Sequence, residues 1–186
     1  MLAAGMSLRF GSRKQLALFE GETLMRRSVR IALAAGCSRT IVVVPSRVPE
    51  IRHELSTMPV EIVENPDPQQ GMSSSLKLAA HAAQRRSLLV VLADQPRVTS
   101  EHLRALIAVN APIAVSLFNG TMGPPAFFGE QFVPLLLTVT GDHGGAEIIR
   151  AHRDQVVTVP FDAAAIDIDT EADLRRLESA TTRSGR

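Results

Sequence analysis

Apolar residues in this chain gather in short β-branched runs, separated by longer stretches in which they recur every three or four positions. Ile41-Val42-Val43-Val44 and Leu88-Leu89-Val90-Val91-Leu92 are continuous apolar runs too short for buried helices. Such runs fit strands covered on both faces of a parallel sheet. Val60 to Val63 and Ile113 to Leu117 predict two more strands. The intervening pattern predicts helices over Thr23 to Ala35, closed by Gly36 just past its end, and over Val48 to Thr57, Ser73 to Ala83 and Ser100 to Val109. Later come an apolar segment at Ala126 to Phe128, helices near Gln131–Leu137 and Gly145–His152, a strand at Val156–Val159 and a last helix after Thr170.

Alternating strands and helices call for right-handed βαβ units. The expected class is therefore α/β, a three-layer αβα Rossmann-like fold with a mostly parallel central sheet. A single domain is expected over residues 1–178, followed by a polar, disordered tail at 179–186. Ligands of open sheets of this kind bind at the carboxyl ends of the strands, so the loops after strands carry the search for chemistry.

Composition narrows the function classes. The 186 residues hold 20 Lys and Arg against 19 Asp and Glu, which leaves no global field to attract nucleic acid or anionic lipid. With no Trp and no Tyr there are few faces on which unstacked bases could sit. The apolar stretch Leu88 to Ala93 falls far short of the roughly 18 residues a membrane span needs. Arg9 interrupts the start before a secretory core could develop, so no signal peptide is expected, and the single Cys37 excludes an internal disulfide framework. The cytoplasm is the expected compartment.

The opening segment, Leu2-Ala3-Ala4-Gly5-Met6-Ser7-Leu8-Arg9-Phe10-Gly11-Ser12-Arg13-Lys14, gathers two glycines, hydroxyls and three cations. Such a loop can wrap a triphosphate: glycine permits close backbone approach, successive N–H groups form an anion nest, and Arg9 and Lys14 neutralise charge. A surface turn with solvated cations would have the same composition. The glycine spacing matches neither GxxxxGK[ST] nor GxGxxG.

This loop resembles the signature of the MobA/MocA-like nucleotidyltransferases, the molybdenum cofactor cytidylyltransferases above all. Further segments follow in the family's order: Asn65-Pro66 with Gly71-Met72-Ser73-Ser74-Ser75-Leu76; Ala93-Asp94-Gln95-Pro96; Gly141-Asp142-His143-Gly144-Gly145; and Asp167-Ile168-Asp169-Thr170 with Asp173-Leu174. The likeness runs from Leu2 to about Leu177. Two features depart from it. Only Met1, Leu2 and Ala3 stand ahead of the loop, so the expectation is either a clipped central strand or a true start that lies upstream, and Gly123-Pro124-Pro125 replaces the Gly-His-Pro common in the cytidylyltransferases.

The resemblance implies a nucleotidyltransferase fold and a Mg²⁺-dependent transfer of CMP from CTP to a phosphorylated acceptor, with molybdopterin as the acceptor and a molybdenum oxidoreductase as a further partner. Catalytic roles fall to Lys14, Arg9 and Asp94. Nucleotide contacts fall to Ala3, Ala4, Gly5, Ser7, Gly11, Asn65, Gly71 and Ser75, and metal binding to Asp94 with Asp167 or Asp169. Such a displacement needs positioning and charge neutralisation rather than a protein nucleophile. The Ala4 methyl is expected to fill space beside the base and favour a pyrimidine. A non-catalytic relative that hands a cofactor to an oxidoreductase, and a sugar-phosphate nucleotidyltransferase, are the other readings. Local structure offers plainer roles for several of these residues: Asp94 as a turn aspartate before Pro96, Asn65-Pro66 as a turn, Ser73 as a helix cap, and Thr170 with Asp173 as a capping box. His53, His81, His102 and His152 read as surface histidines, Cys37 as a packed or half-exposed thiol, and Arg26, Arg27 and Arg30 as one solvated helix face; His143 receives no role.

Overall fold

The computed structural model describes residues 1–7, 9–141 and 144–184. After the opening loop, a small antiparallel hairpin of β1 (Leu18–Phe19) and β2 (Glu22–Thr23) leads into α1 (Leu24–Ala34). The Thr23 hydroxyl accepts the Arg26 N–H at 3.1 Å and so caps α1. Gly36, at φ +85°, ends it. There follow β3 (Ile41–Pro45), α2 (Pro49–Leu55), β4 (Glu61–Asn65), α3 (Met72–Ala82), β5 (Leu88–Val90), α4 (Ser100–Ala108), β6 (Ile113–Phe118), β7 (Thr121–Phe128), α5 (Ala146–Ala151), β8 (Val156–Pro160) and α6 (Glu171–Ser184). Helix α6 thus runs into the segment expected as a tail.

Residues 1–3 join the sheet into one. Leu2 bridges in parallel to Val43 on one side and to Leu92 on the other. Its N–H donates to Val91 O at 2.8 Å, and the Ala3 N–H donates to Val43 O at 2.8 Å. The order is β4, β3, residues 1–3, β5, β7, β6, β8. All run parallel except β7, which is antiparallel to both β5 and β6. The expected mostly parallel sheet is therefore present, with β7 as its exception. The cause is Asn119-Gly120, both at positive φ, which closes a two-residue hairpin between Phe118 and Thr121. A parallel strand would have needed a crossover there instead.

Alternation along the strands feeds two faces. Leu2, Ile41, Val43, Val90, Ile113 and Val115 pack with Leu76, Ala79, Ala80, Ile148 and Ile149 from α3 and α5. On the other face Met1, Ala3, Val42 and Val44 meet Met25 and Val29 of α1 and Ile51 and Leu55 of α2, while Val91 and Ala114 meet Leu103 and Leu106 of α4. Full burial of each such aliphatic side chain contributes about 1.5–3 kcal/mol. A fourth cluster ties Phe10, from the opening loop, to Phe19, Leu24, Ile168 and Leu177. No helix among the described residues is long and apolar enough to cross a membrane.

Three local expectations are corrected. The helix expected near Gln131–Leu137 is a 3-10 turn over Val133–Leu137, in which Pro134 occupies the first turn. The arginines of α1 are not simply solvated: Arg27 donates to Pro96 O at 2.9 Å and pairs with Glu20 at 3.0 Å, and Arg30 pairs with Glu22 at 2.9 Å. His102 is buried at 5% exposure, on the same face of α4 as Leu103 and Leu106. Its Nε2 lies 2.7 Å from Ser116 Oγ, which donates to Pro125 O at 2.8 Å, and its ring stacks on Phe161 at 4.1 Å. Because the Ser116 hydroxyl proton is committed to Pro125, Nε2–H is the donor to Ser116.

Burial holds the His102 imidazole below its ordinary value of 6.5. The unfolded chain then takes up a proton that the folded chain refuses, so the stability contributed by a neutral His102 is complete above about pH 6.5 and declines as the pH falls below it. Urea unfolding at about pH 7.5 and about pH 5.5 should show the wild-type chain losing more stability on acidification than His102→Gln. Equal losses would mean that the ring titrates freely.

Candidate active site

Along the carboxyl edge of residues 1–3 and β5 opens a cleft of about 450 Å³, bordered by Ala3, Ala4, Gly5, Met6, Arg9, Lys14, Gln15, Gly71, Met72, Ser75 and Asp94 among others. Its floor is the loop that leaves the central strand. Gln15 is buried at 3% exposure within it, donating to Ala3 O at 2.9 Å and Gly5 O at 2.7 Å and accepting from Ser7 Oγ at 3.2 Å. The Lys14 N–H also reaches Ser7 Oγ, at 3.3 Å. Gly11 turns the loop at φ +78°, a conformation suited to glycine.

Three segments distant in sequence meet at the mouth of the cleft. Lys14, at the start of a 3-10 turn over Lys14–Leu16, sends its ammonium to Asp94 Oδ2 at 2.6 Å, to Ile168 O at 3.1 Å and to Asp169 Oδ1 at 3.4 Å. Arg9 closes on Asp169 Oδ2 at 2.9 Å. Asp94 lies four residues past the end of β5, just after Leu92 bridges to Leu2, and its carbonyl accepts the Ile168 N–H at 2.9 Å, which seats the Asp167–Asp169 segment beside it. Gln95 donates to Pro124 O at 3.2 Å and Ala164 O at 3.0 Å, fastening the same turn to the Gly123-Pro124-Pro125 segment and to the approach of Asp167.

The carboxylates outnumber the cations here. Asp167 is pushed up to about 6, first by desolvation against the surrounding protein and next by the Asp94 carboxylate; Asp169 adds to the shift, while Gln95 and Lys14 oppose it. The residue as a whole is exposed, so the carboxyl lies at the protein boundary, crowded on one side and open to an incoming ligand on the other. Asp94 Oδ1 is buried without a hydrogen-bond partner. An unpaired buried carboxylate oxygen is costly unless a further cation or donor completes it.

The sequence-predicted residues divide accordingly. Lys14, Arg9, Asp94, Asp167 and Asp169 come together, and Ala3, Gly5, Gly71 and Ser75 border the cleft. Ser7 and Gly11 shape the loop. Asn65 stands behind the cleft at 1% exposure, where its amide donates to Ser74 Oγ at 2.8 Å and Ser75 Oγ at 3.0 Å. It positions the serines rather than facing a ligand, because all of its polar atoms serve the β4–α3 turn. Ala4 borders the cleft at 2% exposure and also packs in the core cluster. Helix α3 starts at Met72 behind Gly71, whose φ of +84° and ψ of −173° suit glycine, and Ser73 is not the cap. The capping box holds: Asp173 accepts the Thr170 N–H at 2.8 Å, and Thr170 Oγ1 accepts the Asp173 N–H at 3.2 Å. The expectations at Asp142 and His143 lie outside the described residues. Gln15 and Gln95 escaped the sequence reading. Their only signal was adjacency to Lys14 and Asp94.

Comparison with known proteins agrees with this geometry. The profile of the MobA-like NTP transferase domain matches residues 1–176. Molybdenum cofactor cytidylyltransferase of Escherichia coli (strain K12) is 32% identical over 184 residues, covering 92% of this chain and 90% of that protein. Purine catabolism protein PucB of Bacillus subtilis (strain 168) is 29% identical over 165 residues, covering 81% and 78%. The crystal structure of Rv0371c from Mycobacterium tuberculosis H37Rv in complex with manganese superposes with a TM-score of 0.80 at 26% identity, covering 96% of this chain and 95% of that one.

Asp167 supplies a test of the crowding. Its folded-state value near 6 stands above the ordinary 3.8, so ionisation costs more in the folded chain than in the unfolded one. That cost is complete above about pH 6 and vanishes as the pH falls to about 4. Asp167→Asn is therefore expected to raise the urea midpoint at about pH 7.5 and to lose that gain by about pH 4. A midpoint unchanged at neutral pH would show that neither desolvation nor the neighbouring carboxylates burden the Asp167 charge.

Proposed function

The chain belongs to the MobA-like NTP transferase domain family, and from that premise we propose that it moves CMP from CTP to the phosphate of a molybdopterin-type acceptor and releases pyrophosphate. One observation carries the reading: Lys14, Arg9, Asp94 and Asp169 form a charged cluster at the mouth of a cleft floored by a glycine-containing loop. The Escherichia coli relative, matched over most of both chains, supports cytidylyl transfer and the acceptor class.

The chemistry is an in-line displacement. An oxygen of the acceptor phosphate attacks the α-phosphorus, the bond from that phosphorus to the bridging oxygen of the β-phosphate breaks, and its electron pair leaves with pyrophosphate. The acceptor phosphate is already ionised near neutral pH, so no side chain need take a proton from it. Lys14 and Arg9 are placed to meet the charge that grows on the leaving phosphates. To do so they exchange their present partners, Asp94 and Asp169, for phosphate oxygens, and this frees the carboxylates.

The residues fit a divalent cation. No group of three or more His, Cys, Asp or Glu that could hold a metal is found among the described residues. Mg²⁺ needs no such cage, since it takes one or two carboxylates and otherwise keeps water and substrate phosphates. Asp94, with its unpartnered Oδ1, and either Asp167 or Asp169 would hold it. Bound there, Mg²⁺ supplies charge neutralisation across the phosphate oxygens. The manganese bound by Rv0371c supports a divalent site in this family's architecture.

Pyrophosphate release from CTP, GTP and ATP, measured with Mg²⁺ and molybdenum-charged molybdopterin, tests the proposal. CTP is expected to exceed GTP at least tenfold in kcat/KM. A preference for GTP would overturn the cytidylyl assignment, and nucleotide binding without release would favour a cofactor-handling relative.

Asp94→Asn should reduce turnover at least a hundredfold while the far-ultraviolet circular dichroism is retained, because the side chain lies at a sheet edge rather than in the core. Lys14→Ala should lower kcat more than it raises KM, since its charge gains strength as the bond breaks. A change in KM alone would mark Lys14 as a ground-state binding group.

A further inference from the structure

Gln15 lies between the catalytic lysine and the core, and neither the displacement chemistry nor the capping of any helix accounts for it. It is 3% exposed, and both protons of its amide nitrogen are used, one on Ala3 O at 2.9 Å and one on Gly5 O at 2.7 Å. Its amide oxygen accepts from Ser7 Oγ at 3.2 Å, and the same hydroxyl accepts the Lys14 N–H at 3.3 Å. A single side chain therefore grips alternate residues of the loop and is coupled through Ser7 to the backbone of Lys14.

The direction of these bonds matters. In a trans peptide the N–H points opposite to the carbonyl of the preceding residue. Drawing the Ala3 and Gly5 carbonyl oxygens inward onto Gln15 turns the Ala4 and Met6 N–H groups the other way, and both residues border the cleft. Among the described residues, no acceptor takes the N–H of either one. Ala4 is buried, where a backbone donor without a partner is rare, and Met6 is exposed at the cleft; successive N–H groups turned to one side make an anion-binding concavity. The same grip keeps two carbonyl dipoles from facing the anion.

We infer that Gln15 is a positioning residue for triphosphate binding, which orients the Ala4 and Met6 N–H groups toward the phosphates and holds Lys14 in register with them. This rests on the nucleotidyl-transfer reading and extends it from the charged groups to the backbone donors. Gln15 does not touch the nucleotide. It acts through the loop.

Two substitutions of similar size separate this from packing. Gln15→Glu removes both donors and places a negative charge against two carbonyl oxygens, while Gln15→Met fills the space with no donor at any pH. Isothermal titration with CTP and Mg²⁺, pyrophosphate release and thermal melting are measured for both beside the wild-type chain. At about pH 7.5 each variant is expected to bind CTP at least tenfold more weakly and to lose kcat. As the pH is lowered toward about 5, protonation of the introduced carboxyl restores one donor, so the ratio of wild-type to Gln15→Glu affinity should narrow while that of Gln15→Met stays constant. CTP affinity and kcat equal to wild type in both variants, with only the melting temperature lowered, would overturn the inference, as would a Gln15→Glu deficit independent of pH. If Gln15→Glu does not fold at neutral pH, Gln15→Met decides: unchanged affinity overturns the inference, and a tenfold loss with the fold retained supports it. A wild-type chain that binds no nucleoside triphosphate would overturn the nucleotidyl-transfer reading itself. A wild-type chain that turns over CTP beside variants that match it would remove the Gln15 role alone.

Discussion

The ammonium of Lys14 is the point on which the site is assembled. Three parts of the chain, the opening loop, the turn after β5 and the segment ahead of α6, meet there, through Asp94 Oδ2 at 2.6 Å, Ile168 O at 3.1 Å and Asp169 Oδ1 at 3.4 Å. Lys14 has three donors and all three are used. Removing that charge would leave Asp94 and Asp169 facing each other beside an already crowded Asp167. A partly buried pair of this kind adds little net stability, because desolvation offsets much of the attraction. Its value lies in geometry: it fixes a carboxylate cluster and a cation pair within reach of the same cleft.

The charges gathered at the cleft are largely paired with one another. Lys14 and Arg9, which the proposed transfer would bring to phosphate, pair with Asp94 and Asp169, which on the same proposal would hold a divalent ion. The carboxylates still outnumber the cations: Asp167 is crowded by Asp94 and Asp169, and Asp94 Oδ1 is buried without a hydrogen-bond partner. A nucleotide alone would take the cations and strand the acids, whereas a metal alone would strand the cations. On the proposed mechanism metal and nucleotide together would satisfy both sets, and the charge balance would then favour a metal-bound nucleotide over either component.

Around this centre the scaffold is rigid where position matters. Met1, Leu2 and Ala3 are buried between β3 and the chain following β5, so the loop begins from the middle of the sheet. The loop's far end is held by Phe10 in the cluster that also contains Ile168. Anchors at both ends, with Gln15 across the middle, leave the segment short paths and few alternative shapes. The Gln95 bonds to Pro124 and Ala164 extend the same logic to the late loops.

How much of this the chain's order of residues declared can be argued from particular positions. The β-branched runs at 41–44 and 88–92 and the helical spacing between them determined strands, helices and a mostly parallel sheet, because periodicity is a local property that burial on two faces imposes directly. The residue types of Gly5, Arg9, Gly11 and Lys14, and the acid after the central run, suited a phosphate loop and a surface turn alike, and the ordered resemblance to the nucleotidyltransferase motifs pointed to the site. The reversal of β7 was also written locally, in Asn119-Gly120, although the strand–helix rhythm concealed it. Other features were decided only by tertiary structure. Asn65 faces Ser74 and Ser75 rather than the cleft, His102 is buried against Ser116 and Phe161, and Gln15 turns inward to hold a loop. A polar side chain carries no local signal of whether its partner lies in solvent, in the core or on a ligand. That depends on which distant segment the fold brings beside it, as Asp94 and Asp169 are brought to Lys14 across most of the length of the chain.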